Sequence, residues 1–233
     1  MCMPTYDERE SLPTTLRALR AACPSVDVLV IDDGSPDGTG ALADGMAAAD
    51  PAITVLHRAT REGLGAAYLA GFEQALDRRY DVVVEMDADG SHRPQDLPAL
   101  LAAVDRADVV LGSRYVPGGR LVGWSRSREL LSRVGNAYAR RALGLAVRDA
   151  TGGFRAYRST VLEKVLTDPV DSQGYCFQID VLRRAVAAGF TVAEVPITFV
   201  ERAAGTSKMD RRIVTEALRR TTVWGVQRRR RPT

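Results

Sequence analysis

The chain alternates short apolar runs with longer stretches in which apolar residues recur every three or four positions. Val26–Ile31, Ile53–Leu56, Asp81–Met86 and Asp108–Gly112 are runs rich in β-branched residues, as in parallel strands covered on both faces. Helical periodicity predicts helices over about 11–22, 39–49, 65–79 and 94–104, with Pro94 suited to a first helical turn. Strand–helix–strand repeats imply right-handed crossovers and a mostly parallel, doubly wound α/β sheet. Ligands bind such sheets at the carboxyl ends of the strands. Asp33, Asp87 and Arg114 each follow a strand end, so they are expected to share one crevice. At the start, Met1-Cys2-Met3 leaves room only for a very short first strand.

After Arg114 the strand rhythm stops. Positions 125–145 predict a helix with an apolar stripe of Leu130, Leu131, Val134, Tyr138 and Ala142. Beside it Arg126, Arg133 and Arg140 form a basic stripe. A last helix over about 210–227 has Ile213, Val214, Ala217, Leu218 and Trp224 on one side and arginines on the other. Basic amphipathic helices of this kind lie on membrane surfaces, and an interfacial tryptophan supports that reading. Helices packed on the core with a solvated arginine face give the same pattern. With no linker or repeat in view, the expectation is one domain over 1–233. Within it, 1–113 is a nucleotide-binding half, 114–210 an acceptor and metal side, and 211–233 a basic amphipathic helix and tail.

The 233 residues suffice for a sizeable core. With 45% hydrophobic and 26% charged residues, the composition is that of a soluble globular protein. No apolar run reaches the roughly 20 residues of a membrane span, and no secretory leader opens the chain. Cys2, Cys23 and Cys176 are too scattered for a disulfide framework or a zinc site, which fits a reducing cytoplasm. The net charge is only +3, but the end is strongly basic. The closing Arg228–Arg231 run is too short and isolated to define a nucleic-acid surface. Anionic lipid and a plain solubilising tail remain open for it.

Asp87 and Asp89 close an apolar run one residue apart, so on an extended segment both carboxylates can face one ligand. Mg²⁺ or Mn²⁺ would take such oxygens and share them with substrate phosphates. A turn in which both merely hydrogen-bond loop amides is the plainer alternative. Asp32-Asp33-Gly34-Ser35-Pro36-Asp37-Gly38-Thr39 is a second acidic turn after a strand, able to hold a base or ribose edge, to cap a helix, or both. Tyr6 can stack on a base and Glu8 hydrogen-bond to it, or the acids can simply favour a helix start. Arg114, Arg202 and Lys208 suit a diphosphate leaving group if they reach the crevice. The histidines, His57 and His92, form no recognisable triad or metal cluster.

In this order the pieces resemble the inverting glycosyltransferases of family 2, in particular the polyprenol-phosphate (dolichol-phosphate) mannose synthase type. The resemblance rests on Pro4-Thr5-Tyr6-Asp7-Glu8, Ile31-Asp32-Asp33-Gly34-Ser35, Glu85-Met86-Asp87-Ala88-Asp89 and Gly112-Ser113-Arg114-Tyr115. It continues through Thr151-Gly152-Gly153-Phe154-Arg155, Gly174-Tyr175-Cys176-Phe177-Gln178 and Gly205-Thr206-Ser207-Lys208. It implies a GT-A fold, transfer of mannose from GDP-mannose to a polyprenyl phosphate with inversion, and a divalent metal, Mg²⁺ or Mn²⁺. Position by position, Pro4, Tyr6, Glu8, Ile31 and Asp33 would hold the nucleoside. Asp87, Ala88 and Asp89 would hold ribose, diphosphate and metal, with Asp89 the principal metal ligand. Arg114, Arg202 and Lys208 would grip the phosphates or the sugar.

Ser91 stands where many relatives carry a glutamine metal ligand; a serine hydroxyl is shorter, and a water can bridge the difference. Asp7 stands where many have asparagine. Arg126, Arg133 and Arg140 are candidate contacts to the acceptor phosphate or an anionic membrane. The resemblance implies a peripheral protein on the cytoplasmic face of a membrane, with room for a separate membrane subunit and no role for nucleic acid. The same fold with a UDP-sugar such as UDP-glucose remains open, as does an inactive nucleotide-sugar-binding module. Residues Val82–Ser91 also fit the opening motif of haloacid-dehalogenase-like phosphatases, with Asp87 as nucleophile and Asp89 as acid–base. That motif usually stands near the N-terminus, whereas here another Asp-Asp turn precedes it.

Overall fold

The computed structural model describes residues 1–170, 172, 175–202 and 211–230. Its strands are β1 (Cys2–Thr5), β2 (Val28–Asp32), β3 (Ile53–His57), β4 (Val82–Glu85), β5 (Val109–Ser113), β6 (Arg120–Val122), β7 (Arg155–Arg158), β8 (Val192–Pro196) and β9 (Thr198–Val200). Its helices are α1 (Leu12–Ala22), α2 (Thr39–Ala49), α3 (Leu64–Asp77), α4 (Leu97–Ala103), α5 (Arg126–Leu143), α6 (Ser159–Val165), α7 (Tyr175–Ala187) and α8 (Arg211–Arg230).

A seven-stranded sheet runs β3-β2-β1-β4-β7-β5-β8, and β6 pairs with β9 in a small second sheet. All neighbours in the large sheet are parallel except β7, which runs antiparallel to both β4 and β5. The short first strand is real and central: β1 bonds β2 on one side and β4 on the other.

Alternation along the strands divides the core between two layers. Cys2, Leu29, Ile31, Val83 and Tyr157 face α3, α6 and α7, where Phe72, Leu162 and Phe177 pack against them. Met3, Val28, Val30, Val84 and Ala156 face α1, α2 and α4, against Leu12, Leu16, Ala43 and Leu97. Gly71 lets α3 sit close on β1 and β2: a Cβ there would fall 2.4 Å from Ile31 Cδ1 and 3.1 Å from Cys2 Sγ.

The expected strands and helices of the first half are present. The 94–104 region divides into a 3₁₀ turn at Pro94–Asp96 and then α4. Four short strands after Arg114, β6 to β9, have no counterpart in the hydrophobic pattern.

The long helix α5 carries an apolar stripe that is mostly not packed on the core. Its buried residues are Asn136, Ala139 and Leu143, while Leu130, Leu131, Val134 and Tyr138 are 64%, 59%, 57% and 37% exposed. Trp224 does not face outward. It packs against the core, 4.1 Å from the Arg183 guanidinium; among the described side chains of α8 the exposed large apolar ones are Leu218, Val223 and Val226, while those of Ile213 and Val214 lie outside the described ones. The two helices cross closely at Gly225, where a Cβ would stand 2.9 Å from the Ala142 carbonyl oxygen. Beside the crossing runs a groove of about 480 Å³ lined by Val134, Tyr138, Arg141 and Val226 among others. No helix among the described residues is long and apolar enough to cross a membrane.

Candidate active site

The carboxyl ends of β1, β2, β4 and β5 open at one edge of the sheet, and three loops there are stitched together by side chains. The loop after β1 surrenders its amides to the loop after β2. Asp7 N donates to Ser35 Oγ at 3.2 Å, Glu8 N to Thr39 Oγ1 at 3.0 Å and Arg9 N to Asp37 Oδ2 at 3.1 Å. Asp7 takes a positive φ of 56°, which a short polar side chain tolerates better than most. Ser35 Oγ in turn donates to Asp32 Oδ1 at 2.6 Å. In the second acidic turn the side chains of Asp32 and Asp37 tie the loop itself together, and the residue that precedes α2 is Gly38, with no side-chain cap. Asp37 Oδ1 accepts from Thr39 N at the start of α2, and Asp33 is left at the strand end.

Asp33 is buried. Its Oδ1 accepts from Arg58 Nη1 at 2.5 Å and its Oδ2 from Gly63 N at 3.2 Å. Pro4 and Ile31 stand opposite each other in the β1–β2 register. Tyr6 lies under the Arg61 guanidinium at 4.0 Å, and Glu8 Oε2 accepts from Ser11 Oγ at 2.7 Å.

Asp87, Ala88 and Asp89 follow β4. Asp87 Oδ1 accepts from Tyr68 Oη of α3 at 3.3 Å, and Tyr68 is itself stacked on Phe177 of α7. Burial, then the neighbouring Asp89 carboxylate, pushes the Asp87 carboxyl up to about 7. Burial also works against the charge on Asp89. The Ser91 amide, 3.0 Å from Oδ1, and the nearby Ser91 hydroxyl outweigh it and hold this carboxyl below the usual range. The hydroxyl misses hydrogen-bond geometry: Ser91 Oγ is buried and makes no hydrogen bond among the described residues. Arg202 Nη2 lies 3.3 Å from Asp89 Oδ2. Ala88 is buried, its carbonyl accepting from Thr15 Oγ1 at 3.1 Å.

His92 finds a role that its place in the sequence did not reveal. Its ring is buried between Phe154 and Phe199, with ring centroids 5.3 and 5.2 Å away. Its Nδ1 accepts the backbone N–H of Asp87 at 3.2 Å, so the proton of the neutral ring sits on Nε2. Burial lowers its pKa to about 4. The segment is also tied to β9: His92 bridges Phe199, and Val200 N donates to Ser91 O at 2.9 Å. His57 lies apart, half-exposed, 2.9 Å from Asp44 Oδ1.

Arg114 reaches the crevice edge, but its main partner is a protein carboxylate. Its Nε and Nη2 donate to Asp149 at 2.7 Å each, its Nη2 also to Thr151 Oγ1 at 2.9 Å, and its backbone N to Asp149 Oδ2 at 3.0 Å. Both residues are buried. Asn136 of α5 extends the network, donating to Thr151 Oγ1 and accepting from Ala150 N. Asp149 was not singled out in the sequence because a polar residue in a loop carries no periodic signal, and Asn136 because a single polar residue on a mixed helix does not show which way it faces; Thr151 stands out only as part of a motif, without a role.

Arg126 is exposed and Arg140 only half-buried. Arg133 is exposed too, pairing with Glu129 at 2.8 Å and lying 4.6 Å over Tyr115. The three are therefore not one open basic stripe. Lys208 lies outside the described residues.

A mostly parallel sheet with nucleotide-type loops and a two-aspartate turn at its carboxyl edge is the architecture of the GT-A glycosyltransferases. Residues 1–166 match the pattern of Glycosyl transferase family 2, and the chain belongs to that family. It is 55% identical over 229 residues to the polyprenol monophosphomannose synthase of Mycolicibacterium smegmatis, covering 97% of this chain and 86% of that one. It is also 55% identical over 227 residues to the undecaprenyl-phosphate mannosyltransferase of Micrococcus luteus, covering 97% and 93%. Among solved structures it resembles glucosyl-3-phosphoglycerate synthase from Mycobacterium tuberculosis in complex with Mn²⁺, UDP-glucose and phosphoglyceric acid. There the TM-score is 0.63 at 21% identity, over 99% of this chain and 79% of that one. Membership of this family sets aside the phosphatase reading of the Asp87–Ser91 turn.

Proposed function

We propose that the protein transfers mannose from GDP-mannose to a polyprenyl phosphate, with inversion, at the cytoplasmic face of a membrane. The observation that carries this reading is near-complete alignment at 55% identity with two enzymes named as polyprenol-phosphate mannosyltransferases. The site geometry supports it. Tyr6, Glu8 and Asp33, with Pro4 and Ile31 behind them, would seat the nucleoside. Asp87, Ala88 and Asp89 would face ribose and diphosphate.

The residues present fit a divalent cation. Two neighbouring carboxylates, one raised to about 7 chiefly by its burial and its neighbour, and a buried Ser91 Oγ without a hydrogen bond among the described residues, form an oxygen set. Asp89, Asp87 and Ser91 would hold Mg²⁺ or Mn²⁺, which would neutralise charge on the leaving diphosphate. Arg202, already beside Asp89, and Lys208 would add positive charge there. Arg114, its charge balanced by Asp149, would fix the loop after β5 at the edge of the site.

A phosphomonoester with a second pKa near about 6 is largely dianionic at neutral pH, so the acceptor needs no strong protein base. That agrees with His92 being buried with its Nδ1 occupied by the Asp87 amide. The exposed apolar residues of α5 and α8, flanked by arginines including Arg126 and Arg133, would rest on an anionic membrane that presents the acceptor. Reading the chain as a single domain is supported by β7, from its second half, lying between two strands of its first. The test is transfer of radiolabelled mannose from GDP-mannose to polyprenyl phosphate with Mg²⁺ or Mn²⁺. A lipid-extractable product is expected, and no transfer by folded protein that binds GDP would refute the reading.

A further inference from the structure

Helix α5 turns Leu130, Leu131 and Val134 outward, while its inner face carries Ala139, Leu143 and one polar residue, Asn136, only 2% exposed. Asn136 Nδ2 donates to Thr151 Oγ1 at 3.0 Å and, one turn back, to Ser132 O at 3.1 Å. Its Oδ1 accepts from Ala150 N at 2.8 Å. Thr151 Oγ1 also accepts from Arg114 Nη2 at 2.9 Å, and Arg114 holds Asp149 through Nε and Nη2. One turn earlier on α5, Ser132 Oγ accepts from Tyr115 Oη at 2.7 Å. We infer that Asn136 is a positioning residue for the transfer: through Ala150 and Thr151 it keys helix α5 to the Arg114–Asp149 pair and so fixes how the helix stands against the crevice edge. The inference rests on the reaction proposed above and adds a residue that acts only through its neighbours.

A buried amide costs stability unless its bonds are made, and leucine or alanine would fill the inner face of an amphipathic helix more simply. A polar network whose members are all satisfied instead specifies one arrangement of its parts. Around Thr151 the count closes. A hydroxyl has one donor and two acceptor lone pairs. That of Thr151 accepts from Asn136 and Arg114, and its own hydrogen points to Asp149 Oδ1, 3.4 Å away. The loop itself is held on the sheet by other groups. Glu194 of β8 accepts from the amides of Arg148 and Asp149 at 2.6 and 2.9 Å, and Arg155 of β7 donates to the carbonyls of Ala150 and Gly152 at 2.7 Å each. Removing the Asn136 amide therefore leaves the loop in place and lets α5 shift against it. A misplacement of about 1 Å, even one caused far from the chemistry, can cost about 100-fold in rate. Tyr6 and Asp33 sit on other loops, after β1 and β2, so donor binding is expected to persist.

Three variants of the full chain test this: Asn136→Leu, Thr151→Val and the two combined. Each is measured for transfer of mannose from GDP-mannose to polyprenyl phosphate, for GDP binding by titration calorimetry, and for hydrogen exchange at the Ala150 N–H by mass spectrometry. In Asn136→Leu that amide should exchange at least about tenfold faster. Its kcat should fall about 10- to 100-fold, with GDP affinity within about twofold of the wild type, as for well-separated sites. Thr151→Val keeps the shape of the side chain and removes the hydroxyl shared by Asn136 and Arg114. It should lose a similar factor in kcat, and the double variant no more than the worse single one, as groups acting as a unit do. Unchanged Ala150 exchange or unchanged kcat in Asn136→Leu overturns the inference. So do losses that multiply in the double variant, and losses of kcat matched by lost GDP binding, which would mark a merely structural role. Should Asn136→Leu not fold, Thr151→Val decides by its kcat at unchanged GDP affinity. A wild type that binds GDP and transfers no mannose sinks the proposed reaction, and Ala150 exchange then decides the positioning by itself.

Discussion

At the scale of single residues, the site gathers buried charges whose protonation the fold controls. Glu85, fully buried at the end of β4, has no hydrogen bond of good geometry to either oxygen among the described residues, although Tyr157 and Gln178 are near. Burial raises its pKa to about 7, and Arg155, opposite it in the sheet, limits the rise. A raised carboxyl stabilises the fold while protonated, so its contribution is complete below about 4.5 and is lost as pH climbs through about 7. The cost of ionising it is about 3 kcal/mol. The melting temperature should therefore fall between pH 5 and 8. Glu85→Gln should flatten that fall, and an unchanged profile would show that Glu85 does not titrate there. His92 acts on Asp87 through the backbone amide it accepts. His92→Phe should cut transfer and metal-supported GDP binding by about 10- to 100-fold, as the loss of a supporting partner does. His92→Asn, which keeps an acceptor near Nδ1, should restore most of it. Equal losses in both variants, tracking melting temperature, would mean a purely structural role. Asp87 and Asp89 were legible in the sequence because a strand end before a D-x-D turn is a pattern. His92 was not, because its partner is a main-chain N–H.

At the scale of elements, β2, β4 and β5 could be read because each is buried almost throughout and so runs almost wholly apolar, while β3, a half-buried edge strand, still shows a short β-branched run. β7 could not be read. Its sequence, Arg155-Ala156-Tyr157-Arg158, begins and ends in arginines, yet Arg155 is wholly buried, donating to the carbonyls of Gly152, Gln178 and Ala150 at 2.7 Å each. An internal strand carrying a buried guanidinium breaks the alternation on which strand prediction depends. The helices α3 and α5 were found by period, but only contacts could show which face of α5 is buried. The close seat of α3 on β1 makes its own prediction. Gly71→Ala inserts a methyl 2.4 Å from Ile31 Cδ1 and should cost about 1–3 kcal/mol, read by denaturant unfolding. A neutral result would mean that α3 can shift without penalty.

At the scale of the whole molecule, Val134 and Tyr138 of α5 and Val226 of α8 line one groove, joined where Tyr138 Oη meets Thr222 Oγ1 at 2.5 Å, and Leu130 and Leu131 of α5 are exposed as well. Leu130→Glu with Leu131→Glu should reduce sedimentation with anionic liposomes by about tenfold while leaving GDP binding intact, since two apolar contacts are replaced by charges that anionic lipid repels. Undiminished sedimentation would move the membrane face elsewhere. The sheet order has one more consequence, and it concerns time rather than space. β4 and β5 lie on either side of β7, so they have no hydrogen-bonded neighbour between them until residues 155–158 exist. A chain emerging from the ribosome cannot seal its sheet from the first 113 residues, however complete their nucleotide loops look. Closure waits on long-range pairing, which is slow. Stalled nascent chains ending near 150 should be cut readily by protease, and chains past 200 with the exit tunnel cleared should resist. Protection of the shorter chains would show that the first half folds alone.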